Sequence, residues 1–404
     1  MPTIEFRLRS LVAVLLSLLC VSALAAEEPA KALLDFSQPQ TIVCFGDSVT
    51  GVYYHTGGWR AYPEMLEIGL KKLHPEGKIT VINAGISGHT TENGLARIDK
   101  DVLEKKPTLV TVTFGLNDMT RVPLETYEKN LREIVARCRA INAQVVLCTP
   151  NAVIDTGDRP RAKLELYCEG LRKVAKELNA PVCDQYAAGE AQRKGDAWKW
   201  RLTLSDAIHP NMAGHKLMAE ELCKTIAGRS ASLADVSPPS PALKKTLALL
   251  KEKKPVRVLA MTPYDKLILP ALQQIDPDAN VEVTVWETAG KTVEQLELEA
   301  KTDVRKLAPN LVLLAVPREA VDAGDESFVK SYSWIMNWSL SFGYQEWDCL
   351  VIHPAVAAPE TKGPRDDLVR TLVHAQHLYL VDRAADDKAS AAELLARWIK
   401  ADAK

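Results

Sequence analysis

Two α/β units, each a parallel sheet covered by helices on both faces, are what the 404-residue chain predicts, and three observations carry that expectation. Short apolar runs alternate with helical stretches from residue 41 to 227. The length exceeds what one hydrophobic core usually holds. A Ser- and Pro-rich stretch, GRSASLADVSPPSPA at 228–242, then precedes a region in which VRVLAMTP at 256–263 and NLVLLAVP at 310–317 repeat the strand pattern.

In chain order, Arg7 and Arg9 precede the apolar run LVAVLLSLLCVSALA, which ends in Ala23-Leu24-Ala25. Basic flank, apolar centre and small-residue site read as an export signal over 1–25, so a periplasmic or extracellular location is expected. An uncleaved anchor is the rival reading; the large Leu19 before Cys20 speaks against a lipoprotein. No later segment offers the roughly 20 apolar residues that span a bilayer. The first unit is placed at 38–228, a linker at 229–243 and the second unit at 244–404.

Within the first unit TIVCF, ITVINAG, TLVTVTFG, QVVLCTP and PVCD are the strand candidates. Between them lie AYPEMLEIGLKKL, TENGLARIDKDVLEKK, LETYEKNLREIVARCRAI and RAKLELYCEGLRKVAKELN, each with apolar residues three and four apart. Sliding the chain by 202 positions aligns Val81 with Val283, Gly88 with Gly290, Leu109 with Leu311 and Val110 with Val312, among nine identities in the 32 positions from 81 to 112. A duplicated unit is the expectation, although Asn117 then faces Glu319 and no Asp-x-x-His follows in the second half.

Formal net charge is -2, with no long run of Lys and Arg, which argues against a nucleic-acid partner. Seven cysteines follow the signal, mostly inside apolar patterns, and read as small core residues; no CxxC pair supports a zinc site.

Ligands on parallel sheets bind beyond the carboxyl ends of the strands, where Ser48, Gly88 and Asn117 all fall. Asp206 and His209, three apart in SDAIHPNMAGH, stand ahead of a helix started by Pro210, so one short turn presents a carboxylate and a base together. A serine hydroxyl needs such a base to act as a nucleophile, and the imidazole needs a carboxylate to fix its tautomer.

The blocks FGDSVT, NAGISGHT, FGLNDM and SDAIHPNMAGH, in this order, resemble the SGNH or GDSL hydrolase family over roughly residues 40–227. No G-x-S-x-G surrounds Ser48, so the α/β-hydrolase signature is not met. The resemblance implies a flavodoxin-like three-layer α/β/α fold with a parallel sheet, followed by a degenerate second copy. It implies Ser48 as nucleophile, His209 as base and Asp206 as its partner, with the Ser48 amide, Gly88 and Asn117 as oxyanion donors, and no metal or organic cofactor. NAGISGHTTENGLARI is also similar to lysophospholipase-like members.

Each residue has a plainer role beside this one. Ser48 fits a helix cap, Asn117 and Asp118 fit turn formers, and Asp47 fits a brace for the nucleophile turn. His215 has the spacing of a core helix residue, and His374 and His377 lack metal-ligand neighbours in sequence. Asp47 and His89, which stands beside the proposed donor Gly88, are also candidates for contact with substrate, and Tyr53, Tyr54 and Trp59 follow the expected nucleophile as either a stacking wall for a sugar or a packed loop. Trp334 and Trp338, four apart on one helix, fit interdomain packing better than carbohydrate contact.

The function expected is hydrolysis of carboxylic esters, with short acyl groups on carbohydrate as first choice. A lysophospholipase-type lipid hydrolase is the alternative, and a non-catalytic carbohydrate-binding or scaffolding protein the reading from another class.

Overall fold

The computed structural model describes residues 31–320, 324–341 and 345–404; the export signal expected at 1–25 lies outside them. Five parallel strands form the first sheet: β1 (Gln40–Gly46), β2 (Ile79–Gly85), β3 (Leu109–Thr113), β4 (Gln144–Cys148) and β5 (Val182–Cys183), in the order β2-β1-β3-β4-β5. The chain leaves β1 for one neighbour, then crosses back over it to reach β3. Right-handed crossovers therefore put α1 (Tyr62–Leu73) on one face and α2 (Thr91–Asp101), α3 (Leu124–Ala140) and α4 (Arg161–Glu177) on the other. The packing agrees: α1 lies on α5 (Met212–Ala227), α2 on α3, and α3 on α4.

The central strand is apolar because both its faces are covered. Ile42, Val43, Cys44 and Phe45 are all fully buried, each large side chain contributing about 1.5–3 kcal/mol of transfer free energy. All seven cysteines of the described residues are buried free thiols, and burial pushes Cys44 up to about 12.

A second sheet holds β6 (Val256–Met261), β7 (Val281–Trp286), β8 (Leu311–Leu314), β9 (Asp348–Ile352) and β10 (Leu380–Val381), all parallel, in the order β7-β6-β8-β9-β10. This is the first order repeated. The registers also coincide: Ile42 pairs with Val81 and Leu109, and Val258 pairs with Val283 and Leu311. The offset of 202 seen in the sequence thus joins equivalent positions on two strands of each sheet. Residues 229–243 carry no helix or strand, yet they are not a loose tether. Leu233 is buried in the first core, Lys216 and His377 both donate to the Val236 carbonyl, and Tyr379 donates to that of Pro238.

Among the described residues no helix is long and apolar enough to cross a membrane.

Candidate active site

β1 delivers Ser48 to the end of the sheet where the strand order reverses, and the turn that follows is tight. A Cβ on Gly46 would lie 2.1 Å from Thr50 Oγ1 and 2.7 Å from the Thr113 carbonyl of β3. Only glycine lets the turn pass so close to the neighbouring strand. Below it the Arg97 guanidinium lies over the Phe45 ring and donates to the Gly46 and Ala84 carbonyls, at 2.8 and 2.9 Å.

Asp206 and His209 arrive from the loop before α5. Ser205 N donates to the His209 carbonyl at 2.9 Å, closing the loop, and Asp206 Oδ1 accepts the Ile208 and His209 amides at 2.8 and 2.7 Å. Two contacts from the segment after β4 hold it from outside: Ile154 N donates to the Ala207 carbonyl and Asn151 Nδ2 to that of Ile208. Asn211 then caps α5 by accepting the Gly214 amide.

The result is a hydrogen-bonded line. Ser48 Oγ lies 2.8 Å from His209 Nε2, and His209 Nδ1 lies 2.8 Å from Asp206 Oδ2. Burial pushes the Asp206 carboxyl up, but His209, through its charge and its hydrogen bonds, outweighs burial and holds the group well below the usual carboxylate range. An ionised Asp206 accepts from Nδ1, so in the neutral ring the bare nitrogen is Nε2, the one that faces Ser48 Oγ.

Around this line the other expected residues fall as follows. Asp47 is buried and accepts the Val49 amide at 2.9 Å; burial raises it to about 6 against the pull of that amide and of His209. Asn117 is buried with Nδ2 3.3 Å from Asp47 Oδ2 and 3.1 Å from the His89 carbonyl, while Arg159 reaches its Oδ1. Gly88 sits at φ +76 with its carbonyl taking Arg121 Nη2 at 2.6 Å. His89 accepts from Arg97 Nε at 3.1 Å, and burial and that arginine lower it. Asp118 accepts the amide and hydroxyl of Thr91 at the start of α2, a capping role. His215 is buried in α5, with Nδ1 accepting the Tyr62 amide at 3.0 Å.

Each of the three aromatic residues after Ser48 makes a different contact. Tyr53 Oη accepts the Ser87 amide at 2.9 Å and so props the loop that carries Gly88. Tyr54 stacks near Trp338 and Trp334, and Trp59 has Lys244 Nζ 5.8 Å above its ring. Trp334 and Trp338 stack at 5.1 Å on α6 (Asp325–Ser339), against the first unit as expected.

Sequence reasoning passed over His55. It is buried, and its ring stacks on His209 at 4.0 Å and 15°. Together with Asp206 and His209 it forms a cluster of possible metal ligands, but the parallel rings both direct an edge at Asp206 Oδ2, 2.8 Å from His209 and 3.9 Å from His55. A cation there would have to part Asp206 from His209, so the donor set suits a hydrogen-bond network better.

The strand ends thus gather a serine, an imidazole and a carboxylate in hydrogen-bonded order. Residues 44–217 match the model of the GDSL-like lipase/acylhydrolase family. The chain is 30% identical over 172 residues to the acetylxylan esterase of Geobacillus stearothermophilus, covering 39% of this chain and 76% of that one. It is 29% identical over 188 residues to thioesterase 1/protease 1/lysophospholipase L1 of Escherichia coli K12, covering 46% and 83%. The crystal structure of the Geobacillus stearothermophilus acetylxylan esterase matches at TM-score 0.41 with 26% identity, over 48% of this chain and 96% of that one. The chain belongs to the GDSL-like lipase/acylhydrolase family and is a carboxylic ester hydrolase.

Proposed function

We propose that Ser48 attacks the carbonyl carbon of short acyl esters, acetyl groups on carbohydrate foremost, in an exported protein. The observation that carries the mechanism is the pair of 2.8 Å contacts joining Ser48, His209 and Asp206. As Ser48 Oγ bonds to the carbonyl carbon, its proton passes to His209 Nε2 and the carbonyl oxygen takes the negative charge. The Ser48 and Gly88 amides and the Asn117 amide side chain supply the hydrogen bonds to that oxygen. With no ester bound the two Asn117 Nδ2 hydrogens rest on Asp47 Oδ2 at 3.3 Å and the His89 carbonyl at 3.1 Å, so one of them, the longer contact to Asp47, is exchanged for the substrate oxygen. His209 then gives its proton to the leaving alcohol, and water releases the acyl group by the same steps. The chain's own residues account for every proton transfer.

The substrate choice is supported by the acetylxylan esterase among the relatives, and by the partly exposed Trp334, 6.3 Å from the His55 ring, as a surface for a sugar. The lysophospholipase relative favours a second reading, a lipid acyl hydrolase. The second half is proposed as a degenerate copy without its own reaction. Counting six residues on from the equivalent Ile42 and Val258 puts Tyr264 opposite Ser48.

The test is hydrolysis of p-nitrophenyl acetate and octanoate, with acetate release from acetylated xylooligosaccharides, by the wild type and Ser48→Ala. Ser48→Ala is expected to lose at least about 1,000-fold in kcat. A steep preference for octanoate would select the lipid reading, and activity surviving Ser48→Ala would remove the mechanism.

A further inference from the structure

His55 belongs to the first half, but what holds it belongs to the second. Gln376 Nε2 lies 2.6 Å from the Tyr54 carbonyl and 2.6 Å from Asn337 Oδ1. Ser205 Oγ lies 3.1 Å from the same Asn337 Oδ1 and 3.1 Å from His55 Nδ1. The directions of these bonds follow from chemistry. A carbonyl only accepts, so the Gln376 nitrogen donates to Tyr54 and, with its other hydrogen, to Asn337. Asn337 Oδ1 accepts, so the single Ser205 proton points to it. Ser205 can then only accept from His55, which must carry its proton on Nδ1.

Burial, and then the neighbouring His209, lower His55 against the attraction of Asp206, so the ring is neutral and its Nε2 is bare. Asp206 Oδ2 is thereby left to His209 alone. Asn337 pays for this arrangement: it is fully buried, and its Nδ2 meets no partner among the described residues.

We propose that His55 is a positioning residue for ester hydrolysis, held as its Nδ1–H tautomer through Ser205 by Asn337 and Gln376, so that the second half completes the active site. This rests on the reading of Ser48, His209 and Asp206 given above. The stacked ring shields one face of His209, and its bare nitrogen cannot compete for the carboxylate. The charged and titratable groups around it are Asp206 and His209 in the loop, His215 of α5, Tyr54 beside it and Arg305 of the second half.

Asn337→Leu removes the acceptor, frees the Ser205 proton to point at His55 Nδ1, and moves the His55 proton to Nε2, where it draws on Asp206. The expected result with p-nitrophenyl acetate is a fall in kcat of about tenfold with KM within about twofold. The acidic limb of kcat/KM should move to lower pH, because His209 loses part of its carboxylate. His55→Phe keeps a ring but has no nitrogen, so it should cost a few-fold by itself, and adding Asn337→Leu to it should cost nothing more. Should Asn337→Leu fail to fold in a thermal melt, Ser205→Ala in the full chain gives the same split between kcat and KM. An unchanged kcat and pH limb in a folded variant, a change in KM alone, or additive losses in the double variant would overturn the proposal. Labelling by a fluorophosphonate, with Ser48→Ala as control, separates this from failure of the nucleophile itself: label retained in Ser48→Ala rejects the triad, whereas slow labelling of Asn337→Leu supports the role of His55.

Discussion

At the scale of single residues, Asp206 carries two tasks with two oxygens. Oδ1 takes two amides and shapes the loop, while Oδ2 orients His209. Asp206→Asn preserves an acceptor but admits the wrong imidazole tautomer. We expect kcat on p-nitrophenyl acetate to fall by about 1,000- to 10,000-fold with a thermal midpoint little changed; a loss under tenfold would deny the carboxylate its orienting task. The spacing Asp-x-x-His made this pair legible, because both residues share one turn. His55 was not legible. The residues that fix its tautomer, Ser205, Asn337 and Gln376, lie far along the chain, and no local periodicity joins them.

At the scale of elements, two glycines serve the site for different reasons. Gly46 is fixed by space, since a methyl group would meet the β3 backbone, whereas Gly88 has open surroundings and a left-handed φ of +76. Gly46→Ala is expected to destabilise by about 1–3 kcal/mol and to displace the nucleophile turn. Gly88→Ala should cost only about 1 kcal/mol, with the larger loss appearing in turnover. Thermal melts read beside esterase rates check this, and equal stability losses would contradict the distinction. The five strands of the first sheet were legible as short apolar runs between helical periods. β7 was harder, because VEVTVW alternates and its outer positions are exposed at the sheet edge. β9 begins with Asp348, an acid that is buried because it caps the first helix of its own unit, accepting the Lys245 and Thr246 amides at 3.0 and 2.7 Å.

At the scale of the whole molecule, six of the eight histidines, His55, His74, His89, His215, His353 and His377, are held below their ordinary value, each chiefly by burial. The unfolded chain, titrating near about 6.5, binds protons that these folded sites refuse. Stability is therefore complete above that value and is lost as pH falls through it. Asp47, raised to about 6, has the opposite sign, gaining stability as pH falls through that value. We expect a lower urea midpoint at pH about 6 than at about 7.5; an equal or higher one would mean that carboxyl groups such as Asp47 dominate. The repeat of the fold was legible in part, through β7 and β8 at a fixed offset, and Trp334 and Trp338 marked α6 as an interdomain helix, while the contact of its Asn337 with Ser205 beside Asp206 was not legible, since it arises only when two separately patterned units meet. The segment joining them is gripped by its backbone: Arg60, Lys72, Lys216, His377 and Tyr379 all bind its carbonyls. Every residue type offers a carbonyl, so at the positions gripped this way, Ser232, Val236, Ser237 and Pro238, the letters are free to drift over evolutionary time, whereas the spacing between them is not.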